Sequence, residues 1–272
     1  STLFPYTTLF RSTNFLNCDM GESFGNYVLG CDFEVMDEIS SANIACGFHA
    51  GDFMVLDKTI KWAIDKKVGI GCHPGFPDLQ GFGRRNLDLS VDEVEKLCTY
   101  QLGAMYAFTK KYGGRIQHFK PHGNLYIMTY TKAMNGDPSW AESLGRAVLA
   151  FDKELIIMSF AGAPTKEIWE SMGLRVASEV YPDREYNANM THVSRRIPGA
   201  VIKDHHKVLE RAVMMAKEHK IIAMDGTVLE NVEFETMCVH GDNPETLQGL
   251  REINKAFKEN GIDLTPLAEI VK

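Results

Sequence analysis

Seven short apolar segments recur along this chain, and most of them end in Gly, His, Asp or Glu. They read FLNCDMGES, ANIACGFHAGD, VGIGCHPGFPD, IQHFKPHGNLY, LIIMSFAG, RVASEVYPDR and MCVHGDNP, of which the fifth has no ionisable residue. A continuous apolar run is typical of a strand in a buried parallel sheet. Ligands of such sheets bind at the carboxyl ends of the strands. The pattern therefore predicts one site fed by several strands, and an enzyme is the first hypothesis.

Helix signals fill most of the intervals between these strands. We predict helices at residues 32–40, 53–66, 90–112, from 138, 205–219 and 244–260, and a further short strand at 221–224. The third of these helices begins with SVDE, which matches a capping box. Alternation of strands and helices predicts an α/β fold, a parallel (β/α) barrel of about seven strands, with an open doubly wound sheet as the alternative. We assign residues 13–272 to a single barrel domain and residues 1–12 to an unstructured or artefactual leader.

The composition limits the kinds of partner that we expect the chain to bind. The chain has 272 residues, a formal net charge of -7 and 44% hydrophobic residues, which is ordinary for a globular protein with a sizeable core. No basic stripe is present, so we do not expect nucleic acid to bind. No apolar run approaches the ~20 residues of a membrane helix, so we expect no membrane partner.

The cysteine pattern helps to predict the cellular compartment of the protein. The six cysteines form no CxxC pair, and four of them lie in or beside predicted strands, as small buried apolar side chains do. A zinc–thiolate site would need closer spacing. Because no signal peptide is visible, we expect a reducing, cytoplasmic environment.

Two carboxylates follow the first apolar segment, in the stretch NCDMGE. Asp19 and Glu22 could act as a base or as cation ligands, or they could cap a helix or lie in a solvated turn. After the second segment, in ACGFHAGD, His49 and Asp52 follow two glycines that permit a tight turn. A histidine there could shuttle protons while the carboxylate fixes its tautomer.

The longest motif is GCHPGFPDLQGFGRR, which follows the third segment. His73 comes directly after the strand, Gly75 and Gly83 shape the loop, and Arg84 or Arg85 ends it. An arginine offers a planar fork for a carboxylate or phosphate, and we favour Arg84 as the inward one. The loop is a candidate lid or anion clamp.

Two further strand ends carry His or Lys. Lys120 and His122 stand in KPHGNLY, where Lys120 could neutralise developing negative charge or pair with a buried carboxylate. His240 and Asp242 stand in VHGD, where Asp242 could instead cap the final helix. The stretches DREY and SRR, at 183–186 and 194–196, could bind an anion or a partner chain, but surface salt bridges are the default expectation.

These motifs give two sets of candidates. The candidate catalytic residues are Asp19, Glu22, His49, Asp52, His73, His122 and His240. The candidate substrate- or anion-binding residues are Arg84, Lys120, Asn43, Gly75, Gly83 and Asp242. If a divalent metal binds, Asp19, His49 and His73 are its first candidate ligands and His122 and His240 are further ones, although ligands from separate strands leave no diagnostic spacing. The chain has no Walker ATP-binding motif, no G-x-S-x-G elbow and no H-E-x-x-H.

The stretches LNCDMGESFG, SANIACGFHAGD, GCHPGFPDLQGFGRR, KPHGNLY and CVHGD resemble the motif series of the LamB/YcsF family, over residues 15–261. Members of this family are described as the A subunit of the prokaryotic 5-oxoprolinase. The resemblance implies ATP-dependent hydrolysis of 5-oxo-L-proline (pyroglutamate) to L-glutamate with ADP and phosphate, and two partner chains, the B and C subunits. It also implies a seven-stranded barrel similar to the glycoside hydrolase and deacetylase barrels. The absence of a Walker motif is consistent with nucleotide chemistry shared with the partners.

The resemblance frames a mechanism and two alternatives. Asp19, His49 or His73 would position or deprotonate water, Arg84 or Lys120 would hold an anionic group, and His122 and His240 would protonate the leaving nitrogen. One alternative is a metal-dependent amidase or carbohydrate deacetylase-like hydrolase, and the other is a non-catalytic substrate-binding subunit. The sequence leaves open which group is acid and which is base, where ATP is cleaved and whether the chain forms a homo-oligomer.

Overall fold

A computed structural model describes residues 13–240, 244–265 and 267–271 of the chain. Its strands are β1 (Thr13–Met20), β2 (Ser41–Ala45), β3 (Gly69–His73), β4 (Ile116–Phe119), β5 (Ile156–Phe160), β6 (Arg175–Val180), β7 (Ile221–Ile222), β8 (Val228–Leu229), β9 (Thr236–Cys238) and β10 (Asp263–Leu264). Its helices are α1 (Asp32–Val35), α2 (Phe53–Asp65), α3 (Val91–Lys111), α4 (Gly123–Met134), α5 (Ser139–Phe151), α6 (Thr165–Ser171), α7 (His205–Glu218), α8 (Pro244–Glu259) and α9 (Leu267–Ile270).

Seven parallel strands close into a barrel. Hydrogen bonds join them in the order β1-β2-β3-β4-β5-β6-β9, and β9 pairs again with β1. Asn17 marks the closure, because it is in register with Ser41 of β2 on one side and with Cys238 of β9 on the other. The predicted parallel barrel of about seven strands is therefore confirmed, and the open-sheet alternative is wrong.

The two faces of the barrel strands differ in chemistry. In β1, Leu16, Cys18 and Met20 join the main apolar cluster, which also contains buried side chains of the surrounding helices. The alternate residue Asn17 is fully buried and forms hydrogen bonds with side chains of β6 and β9. This strand thus carries apolar side chains on its outer face and polar groups on its inner face, and the polar groups build the floor of the site described below.

Most helix predictions agree with the structure. The capping box is formed, with Ser90 and Glu93 bonding each other's backbone N–H groups. The first helix is shorter than predicted, ending at Val35. Helix α4 was missed because it begins at Gly123, with His122 making no side-chain cap to signal the start. The predicted strand at 221–224 is shorter and pairs antiparallel with β8, away from the barrel.

Two sequence predictions lie outside the described residues. These are the unstructured leader at 1–12 and the site or capping role of Asp242. Among the residues that the structure does describe, no helix combines the length and the apolar character needed to cross a membrane.

Candidate active site at the carboxyl ends of the strands

Side chains from five strand ends converge on one cavity of about 540 Å³. Its lining includes Asp19 near the end of β1, His73 at the end of β3, Lys120 and His122 after β4, Tyr181 after β6 and His240 after β9. This volume is typical of a small-molecule site. The predicted convergence of Asp19, His73, His122, His240 and Lys120 is therefore what the structure shows.

A buried lysine forms the floor of the cavity. Lys120 Nζ lies 2.9 Å from Asp19 Oδ1 and 3.0 Å from Glu179 Oε1, and Lys120 is only 1% exposed. Burial opposes its charge, but Asp19, Cys238 and Glu179 outweigh this effect and raise the pKa of Lys120 well above its ordinary value. The alternative in which Lys120 pairs with a buried carboxylate is thus correct, and the ammonium stays charged between two acids.

Asp19 is an ionised acceptor at the cavity wall. Its burial raises the pKa, but the interactions with His73 and Lys120 together outweigh this effect and hold the pKa of Asp19 well below its usual value. Oδ1 accepts hydrogen bonds from Lys120 and from Asn43 Nδ2 at 2.8 Å. Oδ2 lies 3.3 Å from His73 Nε2 and 3.9 Å from His240 Nε2. One carboxylate oxygen is therefore held by the floor, while the other faces the histidines.

Hydrogen bonds through two asparagine side chains position Asp19 from inside the barrel. Asn43 donates to Asn17 Oδ1 at 2.6 Å as well as to Asp19, and its own oxygen lies 2.7 Å from His118 Nε2. Asn17 Nδ2 donates to Glu179 and to Thr236 Oγ1. Asn43, a predicted anion-binding residue, is thus committed to the barrel interior, where it orients Asp19 and does not line the cavity.

Three histidines pack beside Asp19. The rings of His49 and His122 stack with centroids 3.6 Å apart, and His73 lies edge-on to both. Burial, followed by the neighbouring histidines, lowers the pKa of His49 and of His122 well below the ordinary value. Glu22 Oε1 lies 3.6 Å from His49 Nε2 and 3.9 Å from His122 Nδ1. We name Glu22, His49, His73 and His122 the histidine cluster.

His240 belongs to a separate acid–base pair. Its Nδ1 bonds the carboxylate of Asp183, which is 9% exposed. Burial disfavours the charged imidazole, but Asp183 and then Asp19 outweigh it and raise the pKa of His240. The expectation that the 183–186 stretch forms surface salt bridges is wrong for Asp183, because the loop after β6 folds inward over the cavity.

Arginines surround the mouth of the cavity. Those in its lining are Arg84, Arg184, Arg195 and Arg196. Arg195 Nη2 lies 3.5 Å from His240 Nε2, and Arg184 is held by the backbone oxygens of Val193 and Ala200. Arg84 does point to the cavity, as predicted, whereas Arg85 Nε donates to Asp78 Oδ1 at 2.8 Å. Four guanidinium groups at one mouth favour an anionic ligand.

Asp52, a predicted catalytic residue, caps a helix in the structure. Its carboxylate caps α2 by accepting hydrogen bonds from the backbone N–H groups of Met54 and Val55, each at 2.9 Å. It also accepts from Gly25 N at 2.7 Å, which ties the loop after β1 to this helix. These bonds take up the carboxylate that we expected to fix the tautomer of His49.

Two groups of described side chains bring metal-ligating atoms together. One is the histidine cluster, and the other consists of Asp19, Cys238 and His240. In the second group, Lys120 Nζ lies 2.9 Å from Asp19 Oδ1 and 3.0 Å from Cys238 Sγ. The ammonium already supplies positive charge beside the second group, so of these two groups the histidine cluster offers the less compensated set of ligand atoms.

Two glycines in the loop leave space for the side chains of the histidine cluster. Gly83 has φ +62°, and a Cβ there would lie 2.8 Å from His49 Cβ and 3.0 Å from His122 Cδ2. A Cβ at Gly75 would lie 2.4 Å from His49 Nδ1. Both predicted glycines therefore serve the site by allowing the histidines to approach the loop backbone.

We expect Gly83→Ala to lower the free energy of unfolding by about 1–3 kcal/mol, because the left-handed backbone and the close contact both penalise a side chain. Denaturant unfolding would measure this change. The matched control is Gly103→Ala, at an exposed position in α3 where a Cβ meets nothing within 4 Å. That change should stabilise by about 0.5–1 kcal/mol. Equal effects of the two substitutions would refute the packing argument.

Comparison with known proteins identifies the family of this chain. A family model described as LamB/YcsF family matches residues 15–272. The chain belongs to the LamB/YcsF family. The match spans every strand end that contributes to the cavity, so the resemblance noted in the motifs is confirmed.

Two relatives of this LamB/YcsF protein share one name. A protein of Pyrococcus abyssi, named as the A subunit of 5-oxoprolinase, is 46% identical over 256 residues, which cover 94% of this chain and 98% of that protein. A protein of the same name from Natranaerobius thermophilus is 47% identical, with 93% and 96% covered. The crystal structure of a lactam utilization protein from Thermus thermophilus superposes with a TM-score of 0.85 at 37% identity, covering 93% of this chain and 99% of that one.

Sequence reasoning missed several residues of this LamB/YcsF site. The missed side chains in the cavity or its floor are Asn17, His118, Tyr126, Glu179, Tyr181 and His192. Glu179 had a usable signal, since it is an acid inside an apolar run, RVASEV, that reads as a buried strand. A buried charge needs a partner, and Lys120 was the available cation.

Proposed function

We propose that this chain is the A subunit of an ATP-dependent 5-oxoprolinase, which opens the lactam ring of 5-oxo-L-proline to give L-glutamate. The observation that carries the proposal is similarity over more than nine-tenths of the chain to relatives named as that same subunit of 5-oxoprolinase. The cavity supports it, because its arginine mouth suits the carboxylate of 5-oxoproline and its acid and histidines suit hydrolysis. The word subunit in those names also supports partner chains, which we propose are the B and C subunits.

The difficulty of the reaction lies in the amide. Resonance stabilises a lactam against attack by water. Phosphoryl transfer from ATP to the amide oxygen, within the assembled enzyme, makes the ring carbon electrophilic. Arg84 and Arg195, at the cavity mouth, hold the substrate carboxylate and the phosphorylated oxygen.

Ring opening then uses the groups at the floor and wall. Water adds to the ring carbon as Asp19 accepts a proton, and the carbon–nitrogen bond breaks while His240 donates a proton to the nitrogen. Hydrolysis of the remaining acyl phosphate gives glutamate and phosphate. Asp19 suits the first role because it is ionised and oriented by Asn43, and His240 suits the second because Asp183 favours its protonated form.

Reconstitution tests the proposal. Glutamate formation from 5-oxoproline should require ATP, this chain and both partner subunits, and omission of any one should abolish it. Glutamate formation by the partners alone would refute the proposed role. ATP-independent cleavage of other amides or acetylated sugars by this chain alone would favour the metal-dependent hydrolase alternative.

The His240–Asp183 pair predicts a shift in the pH profile. His240 acts in its protonated form, so kcat falls as pH rises through its pKa. Asp183, Asp19, Arg195 and Tyr181 face the imidazole, and Asp183 contributes most to raising the pKa. Asp183→Asn should therefore lower that pKa and move the alkaline limb of kcat to lower pH.

The measurement is kcat of the assembled enzyme across the pH range. Asp225→Asn, in the exposed turn between β7 and β8, serves as the control and should leave the profile unchanged. An unmoved alkaline limb in Asp183→Asn would remove His240 as the acid.

A further inference from the structure

The histidine cluster contains two nitrogen lone pairs that face each other. His73 Nδ1 lies 2.7 Å from the backbone oxygen of Lys120, and His122 Nε2 lies 2.9 Å from that of Phe82. A carbonyl oxygen only accepts hydrogen bonds, so each of these ring nitrogens carries the proton. In the neutral rings, His73 Nε2 and His122 Nδ1 are then both unprotonated, and they lie 2.9 Å apart.

Two lone pairs at this distance need a positive charge beside them. A proton on His73 Nε2 would serve these two nitrogens and Asp19 Oδ2, which lies 3.3 Å from His73 Nε2, but it would leave His49 unsatisfied. His49 argues against that solution, because it is fully buried and neither of its ring nitrogens has a hydrogen-bond partner. An unpaired buried polar group costs on the order of 1–3 kcal/mol. A metal cation can take lone pairs from all three imidazoles at once.

The fourth donor is a carboxylate. The ligand atoms of Glu22, His49, His73 and His122 all lie within 4.8 Å of one another. Three imidazole nitrogens and one carboxylate oxygen suit Zn²⁺ and its first-row neighbours, which they bind at about 2.0–2.2 Å. Mg²⁺ and Ca²⁺ prefer an all-oxygen set. The backbone oxygens that hold the outer nitrogens of His73 and His122 match the usual support of metal-bound histidines.

We propose that Glu22, His49, His73 and His122 form a binding site for one divalent transition-metal ion of the Zn²⁺ type. The site shares His49 and His73 with the ligand set predicted from the sequence. Asp19 is replaced, because Lys120 already neutralises it. The site lies against the cavity wall through His73 and His122, so a bound cation would strengthen the attraction of the cavity for anions.

Direct metal binding tests the proposal without any assay of 5-oxoproline. The full chain is stripped with a chelator and titrated with Zn²⁺ in a calorimeter, and with Co²⁺ while its visible absorption is recorded. We expect one ion per chain, a Co²⁺ spectrum of nitrogen and oxygen ligation without thiolate bands, and no competition from excess Mg²⁺. His49→Ala and His122→Ala should each weaken Zn²⁺ binding by about 100-fold or more, since loss of a mere supporting contact costs 10–100-fold.

Controls separate ligation from misfolding and from stray sites. His206→Ala, on the exposed face of α7, should bind Zn²⁺ as the wild type does. Cys31→Ser removes the half-buried thiol and should also change nothing. Glu22→Gln keeps the shape of the side chain and should weaken binding while unfolding cooperatively. The proposal fails if the stripped wild type binds no stoichiometric Zn²⁺, or if the His49 and His122 variants bind it unchanged. A shared proton between His73 and His122 in imidazole nitrogen spectra, persisting in the presence of Zn²⁺, would also overturn it.

Discussion

Asp19→Asn should lower kcat of the assembled enzyme by about 10²–10⁴-fold, the usual contribution of a positioned acid–base group. The amide keeps the shape of the side chain and can still accept from Lys120, but it cannot take a proton from water. Binding of 5-oxoproline relies on the arginine mouth, so KM should change far less than kcat. Steady-state glutamate release by the reconstituted enzyme gives both values.

The control for Asp19 is Asp52, which follows β2 and caps a helix. Asp52→Ala removes the cap of α2 and should cost about 0.5–2 kcal/mol of stability while leaving kcat of the folded enzyme near the wild-type value. If Asp19→Asn instead retained kcat, Asp19 would lose its proposed role and the non-catalytic, substrate-binding alternative would gain support.

Lys120→Met should lower the free energy of unfolding by about 3–5 kcal/mol, the usual result of removing one partner from a buried ion pair. The substitution leaves Asp19 and Glu179 inside the barrel without the ammonium that now lies 2.9 Å from the first and 3.0 Å from the second. Denaturant titration at neutral pH measures the deficit. Protonating one of the acids relieves the repulsion, so the deficit should shrink as pH is lowered.

Two comparisons test this electrostatic explanation. Adding Glu179→Gln to Lys120→Met should recover part of the lost stability, because it removes one of the two uncompensated charges. Lys61→Met breaks an exposed pair with Asp65 and should change stability little. A small deficit for Lys120→Met, or a deficit that does not depend on pH, would contradict the role given to the buried lysine.

The barrel could be predicted because its signals are local. Each apolar run, each glycine stop and the capping box at Ser90 lies within a few residues of the element that it predicts. The site could be predicted in outline for a related reason. Parallel strands bring their carboxyl ends to one edge, so Asp19, His73 and His240 had to be near one another once the strands were recognised.

The details of the site depend on contacts that local patterns do not show. Asp183 and His240 are 57 residues apart, and Asn17 and Glu179 are 162 residues apart. These pairs decide which groups are charged, which is why the sequence left acid and base unassigned. The cap that Asp52 forms was not predicted for the same reason, because it is visible only once α2 is placed.

A crystal structure of the assembled enzyme with 5-oxoproline, in the absence of ATP, tests the central claim most directly. We predict the lactam in the cavity of this chain, with its ring carbon between Asp19 and His240, close enough for a water held by Asp19 to attack, and its carboxylate toward Arg84 and Arg195. Bound lactam in a partner subunit, with this cavity holding none, would contradict the account.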